Sequence, residues 1–311
     1  MTEPTTDPTP QAGATTTART PALDRLLVGV DFSSGSLDAA AWMARLAPEA
    51  ELVIAHVLQV PYPPALLRRG LPPREEVLRT ALAGAERRLA EAAAKLPQVA
   101  HRVVREGRPA SALAAVAAEH AVDLVVVGTH GRWGVWTNLG STADSLLAES
   151  PVPVLLAQGF DETPPRHLLV PMDESDNARE ALGWAAFLAR RFDARLTATH
   201  VMSTSLLGHM RLVSSEPAAR DLEQRAHTSV ADWLQEELRA TRLPPAQTSV
   251  EVTSGVPGLE ILATAARLGC DLVVLGCRGS GGARTFSLGS VASAVVRKGA
   301  GPILVVPPAR R

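Results

Sequence analysis

Short apolar runs alternate with longer amphipathic ones along the second half of the chain. Residues 168–172 are rich in branched side chains and predict a strand ending at Asp173. Residues 177–192 follow as a helix, with Ala181, Ala185 and Leu188 on one face. A second strand is predicted over 196–201, ending at His200-Val201, and a long helix over 218–241 stops before Pro244-Pro245. Then come a strand at 249–253, a helix at 259–268, a strand at 272–275, a helix at 290–297 and a last strand at 303–306. The strands are almost continuously apolar rather than alternating, as expected when helices cover both faces of a parallel sheet. Strand-helix alternation gives right-handed βαβ units. The predicted fold class is α/β, a doubly wound five-stranded parallel sheet.

The first half repeats this pattern. R-L-L-V-G-V-D-F-S-S, ending at Ser34, matches H-L-L-V-P-M-D-E-S-D, ending at Asp176. V-I-A-H-V at 53–57 matches T-A-T-H-V at 197–201. V-D-L-V-V-V-G-T-H-G, ending at Gly131, matches C-D-L-V-V-L-G-C-R-G, ending at Gly279. The offsets drift only from 142 (Asp31 to Asp173) through 148 (Gly128 to Gly276) to 149 (Gly140 to Gly289). One module has been duplicated. The expected domains are 21–160 and 165–308, joined at a polar, Pro-containing seam near 161–165 and preceded by a disordered Thr/Pro-rich tail, 1–20.

Composition narrows the function. Lys+Arg total 31 against Asp+Glu 32, which removes the electrostatic footprint of a nucleic-acid binder. Lys95 and Lys298 are the only lysines, and neither stands in G-x-x-x-x-G-K-[ST], so a P-loop is excluded. Cys270 and Cys277 are too few for a disulfide framework and wrongly spaced for C-x-x-C chemistry; they read as small apolar side chains. Trp42 and Trp184 take similar places in the first helices and read as core. No apolar run approaches a membrane span, and the start of the chain lacks the basic and apolar regions of a secretory signal. A reduced, cytoplasmic setting without membrane insertion is expected.

Candidate chemistry gathers where open parallel sheets hold ligands, at the carboxyl ends of the strands. Asp173 follows the first strand, His200-Val201 the second, and Gly276 opens G-C-R-G-S-G-G-A-R-T-F-S-L-G-S after the fourth. Gly276 and Gly279 let backbone N–H groups approach an anion closely. Ser290, after Gly289, opens a helix whose free N–H groups suit phosphate oxygens. Gly282 lies within the loop, and Arg278 and Arg284 add charge. An aspartate after a strand also serves as a helix cap or Asx turn, and His56 and His200 suit a backbone partner better than acid-base work. No catalytic residue and no metal-ligand cluster stands out.

With these residues the sequence resembles the universal stress protein family, and as a tandem, two-domain member. That family carries G-x2-G-x9-G-[ST] after its fourth strand, and Gly276, Gly279, Gly289 and Ser290 match it in full. The strand-one aspartate, the H-V of strand two and D-L-V-V-L-G match as well. The resemblance implies an adenine-nucleotide alpha-hydrolase-like fold and a cofactor, ATP, with Mg2+ on its phosphates. It also implies that Pro171, Asp173 and Val201 join the loop residues, Val201 meeting the adenine through its backbone. The implied role is a regulatory or sensor protein of the stress response, not an enzyme, acting through an unidentified protein partner. A non-nucleotide interaction module and a slow ATPase are the alternatives.

The first half departs from the pattern. Gly128, Gly131 and Gly134 keep step with Gly276, Gly279 and Gly282, but five residues separate Gly134 from Gly140 where the second half has six. Trp133 stands in place of Gly281, and Trp136 adds bulk. Asp31, Val57, Gly128, Gly131, Gly140 and Ser141 remain the first-half candidates. In the family single modules pair through their last strands. The matching segments, 152–157 and 303–306, are therefore expected to pair antiparallel as an internal pseudo-dimer that removes an exposed edge. A further homodimer of whole chains is compatible with the sequence.

Overall fold

A computed structural model describes residues 20–60, 72–128, 140–203, 216–279 and 288–309. The tail predicted over 1–20 thus lies outside them except for its last residue. The first half runs β1 (Arg25–Gly29), α1 (Ser34–Leu46), β2 (Glu51–Leu58), α2 (Arg74–Ala93), β3 (Val99–Glu106), α3 (Pro109–Glu119), β4 (Leu124–Gly128), α4 (Ser141–Glu149) and β5 (Val154–Ala157). The second runs β6 (His167–Pro171), α5 (Asp176–Phe192), β7 (Arg195–Ser203), α6 (Glu216–Ala240), β8 (Thr248–Gly255), α7 (Pro257–Leu268), β9 (Leu272–Gly276), α8 (Ser290–Lys298) and β10 (Ile303–Val306). A short 3-10 turn, Pro245–Gln247, leads into β8.

All ten strands form one sheet in the order β3-β2-β1-β4-β5-β10-β9-β6-β7-β8. Pairing is parallel within each half. The expected antiparallel seam is present: Ile303 pairs with Leu156, Leu304 with Leu155 and Val305 with Val154. Helices α1, α2, α5 and α6 pack one face through Trp42, Leu89, Trp184 and Leu234. Helices α3, α4, α7 and α8 pack the other through Leu113, Leu146, Ile261 and Val295. Trp42 and Trp184 are core residues, at 2% and 6% exposure. Among the described residues no helix is long and apolar enough to cross a membrane.

Several strand ends differ from the sequence expectation, and β8 runs on to Gly255 where 253 was expected. β6 stops at Pro171, so Asp173 lies in the following turn and does not end the strand. β7 continues past Val201 to Ser203, because β8 supplies pairing partners as far as Gly255. At the opposite edge of the sheet one device is used twice. Asp123 Oδ2 accepts from the backbone N–H groups of Asp24 and Arg25 at 3.0 Å each. Asp271 Oδ2 accepts from those of Arg166 and His167 at 2.7 and 3.0 Å. Each aspartate thus ties the start of one strand to its neighbour and supplies acceptors for N–H groups outside the ladder.

His167 is buried beside this clamp. Its Nε2 lies 2.8 Å from Thr197 Oγ1, its Nδ1 lies 3.2 Å from the Leu268 carbonyl, and Thr197 Oγ1 lies 2.7 Å from Ser249 Oγ. Burial, with the Arg195 cation nearby, holds the imidazole below its ordinary pKa of 6.5. The unfolded chain therefore takes up this proton more readily than the folded one. The contribution of His167 is complete above the ordinary imidazole pKa and is lost as the pH falls below it. The unfolding free energy is expected to drop between about pH 7 and about pH 5 more steeply in the wild type than in His167→Gln. Urea unfolding across that range measures both slopes, and equal slopes would refute the assignment.

Candidate functional site

The turn after each first strand is built by its own sequence. Asp173 Oδ1 accepts from the Ser175 N–H at 3.2 Å and from its hydroxyl at 2.6 Å. Ser175 then caps α5, its Oγ accepting from Ala178 N–H at 3.1 Å. Between them Glu174 is held at φ 66°, a left-handed conformation that a side chain rarely takes. Asp31, Phe32 (φ 64°) and Ser33 repeat the turn, with Ser33 N and Oγ at 3.0 and 2.5 Å from Asp31 Oδ1. Both aspartates therefore do form Asx turns, and the serines are the helix caps.

Beside Asp173 a cleft of about 430 Å³ opens at the carboxyl edge of the second half. It brings together Pro171, Asp173, Val201, Gly276, Arg278, Gly279, Gly289 and Ser290 from β6, β7, β9 and the start of α8. The lining mixes polar and apolar groups: the glycines, Ser290 and Asp173 beside Val201, Ile261, Leu275 and Ala292. Gly289 caps α8 in extended backbone, and its N–H donates to the Cys277 carbonyl at 2.8 Å. A Cβ on Gly279 would collide with Asp173 Oδ2, so a side chain there requires that carboxylate to move. Arg278 Nε is buried with no hydrogen-bond partner among the described residues. Gly282 and Arg284 lie outside the described residues.

The remaining ionisable groups are committed elsewhere. His200 Nδ1–H donates to the Met172 carbonyl at 2.8 Å, and His56 Nδ1–H to that of Val30 at 2.7 Å. Burial pushes the thiols of Cys270 and Cys277 up to about 11, so both stay protonated and unreactive at neutral pH. In the first half Gly128 ends β4, Val57 lies in β2, and Gly140 caps α4 ahead of Ser141, as in the second half. Gly131, Trp133, Gly134 and Trp136 lie outside the described residues.

Sequence reasoning missed Asn177. It sits in the first turn of α5 at 6% exposure, its Oδ1 accepting from Arg278 N–H and its Nδ2 donating to the Val306 carbonyl, each at 3.0 Å. The available signal was the mismatch between halves, since the offset of 142 places Gly35 against it.

Fold and site together define a tandem α/β protein with a cleft of mixed polar and apolar lining over the strand ends of its second half. The profile of the universal stress protein family matches residues 22–158 and again 165–307, and the chain belongs to that family. A universal stress protein of Methanocaldococcus jannaschii is 30% identical over 149 residues, 45% of this chain and 81% of that one. Another, from Mycobacterium tuberculosis, is 27% identical over 298 residues, 90% of this chain and 95% of that one. The crystal structure of a universal stress protein from Archaeoglobus fulgidus superposes with a TM-score of 0.66 at 20% identity, covering 92% of this chain and 96% of that one. That likeness establishes the fold.

The two halves differ in how tightly their strand-four glycine is held. A Cβ on Gly276 would lie 2.8 Å from Asn177 Oδ1 and 2.9 Å from its backbone oxygen. A Cβ on Gly128 would meet nothing closer than 3.6 Å. Gly276→Ala is expected to lower the stability of the protein by about 1–3 kcal/mol, and Gly128→Ala by under about 0.5 kcal/mol. Thermal unfolding of the two variants compares them directly.

Proposed function

We propose that the second-half cleft binds an adenine nucleotide, ATP, and that the protein serves the stress response as a regulatory binding protein. The observation that carries this reading is the convergence on one cleft of Gly276, Gly279, Gly289 and Ser290 with apolar side chains such as Val201 and Ile261. A volume of about 430 Å³ falls in the range of small-molecule sites. The apolar side chains suit a planar base and the backbone of Val201 its polar edge. The glycines and the first N–H groups of α8 suit phosphates, since these helical donors have no intrahelical acceptor. The Ser290 hydroxyl and the Arg278 guanidinium add donors there.

A divalent ion would ride on the phosphates and water. Asp173 is the one carboxylate lining the described cleft, and no group of three or more metal-ligating side chains occurs among the described residues. In this reading Asp173 shapes the turn through Ser175 and His200 holds the Met172 carbonyl, and neither is given a step in turnover.

Calorimetric titration of the full chain with Mg-ATP tests the proposal. One saturable site per chain is expected, and Gly279→Asp, which puts bulk and negative charge against Asp173, is expected to abolish it. Two sites would bring the first half into play. No heat at about millimolar nucleotide, or undiminished binding in the variant, would transfer the weight to a protein-interaction module.

A further inference from the structure

We propose that Asn177 is a positioning residue for the phosphate-binding loop, pinning its first turn to the last strand of the sheet and making the second half the nucleotide-competent one. This rests on the ATP reading above.

The loop starts at Cys277 after β9 and finishes at Gly289 before α8. The Cys277 N–H donates to the Val306 carbonyl at 2.9 Å, and its own carbonyl accepts the Gly289 N–H at 2.8 Å, so entry and exit meet at one residue. The next N–H, that of Arg278, has no strand or helix acceptor and is taken by Asn177 Oδ1 at 3.0 Å. The same side chain donates through Nδ2 to the Val306 carbonyl at 3.0 Å and, more weakly, to Glu180 Oε2 at 3.4 Å. One buried amide thus fixes Arg278 against both α5 and the end of β10. Gly276 and Gly279, the loop's anion-facing glycines, lie two residues before and one after this pin.

A buried side chain used only to fill space would be apolar, because an amide must find partners for both its oxygen and its nitrogen. Asn177 finds them on the two segments whose separation sets the loop's direction. In the first half Gly35 stands at the aligned place and offers no side chain; there a Cβ on Gly128 would lie 3.7 Å from the Gly35 backbone. Oriented contacts to phosphate are sensitive to displacements of about 1 Å, so an unpinned loop forfeits them.

The effect of Asn177 must therefore grow with the phosphates on the ligand. In full-length protein, Asn177→Ala is expected to weaken ATP at least ~10-fold while changing adenosine affinity less than ~2-fold. Equal losses for both ligands would mean a generally damaged cleft and overturn the proposal, as would unchanged ATP affinity. A wild type that binds no ATP would overturn the ATP reading itself. A second measurement needs no variant. By amide hydrogen exchange in the nucleotide-free wild type, the Arg278 N–H is expected to be protected at least ~100-fold. An unprotected Arg278 amide would remove the pin.

Discussion

Everything else in the molecule depends on three residue pairs at the centre of its sheet. β5 and β10 are four-residue strands buried along their whole length, V-L-L-A and I-L-V-V. Left alone, each would be an apolar edge with unpaired backbone groups. Antiparallel pairing removes both edges and makes one ten-stranded sheet from two five-stranded ones. The packing layers then run through the junction. Leu155 and Leu304 join Trp42 and Trp184 on one face, and Leu156 and Ile303 join Leu146 and Val295 on the other. Gln158 braces the seam from the first half by donating to the carbonyls of Gly299 and Gly301 at 3.0 and 3.1 Å. Trp42 stacks on Phe160 at 4.5 Å, so the connection between halves is itself packed onto the core.

Much of this was legible in the sequence because burial on both faces leaves a plain signature. A strand covered twice is apolar throughout, and L-V-V-V-G and L-V-V-L-G could hardly be anything else. The seam was legible through the family resemblance, which implies that modules pair through their last strands. The end of β7 was not. Met202 and Ser203 are strand because Ser254 and Gly255 pair with them, and pairing leaves no trace in hydropathy. The line from buried His167 and Thr197 to exposed Ser249 escaped notice because polar side chains satisfied by one another look, in sequence, like breaks in an apolar run.

In the site, the glycines and Ser290 were legible through spacing, and Asp173 through its place after a strand. Their supports were not. Ser175 was invisible as the cap because Asp173 two residues earlier is an equally good capping type. Asn177 was invisible because its partners, Arg278 and Val306, lie 101 and 129 residues away. Gly276 looked like a residue chosen for a ligand, whereas Asn177 also forbids a side chain there.

The covalent connection between β5 and β6 has a consequence for how such a molecule can change. A dimer of identical chains carries every substitution on both sides of its two-fold axis, so a change that spoils one cleft spoils both. Here the same pseudo-two-fold arrangement is written out twice, and each half can drift under its own selection. The positions that serve the shared sheet have stayed alike, as Asp123 and Asp271 do in fastening equivalent strand starts. Positions that serve only one half have parted: Arg25 donates to the His120 carbonyl and pairs with Glu51 where His167 is buried among hydroxyls, and Gly35 stands where Asn177 does. Fusion has turned a symmetric pair into a scaffold with one duty in common and another free to be held by a single side.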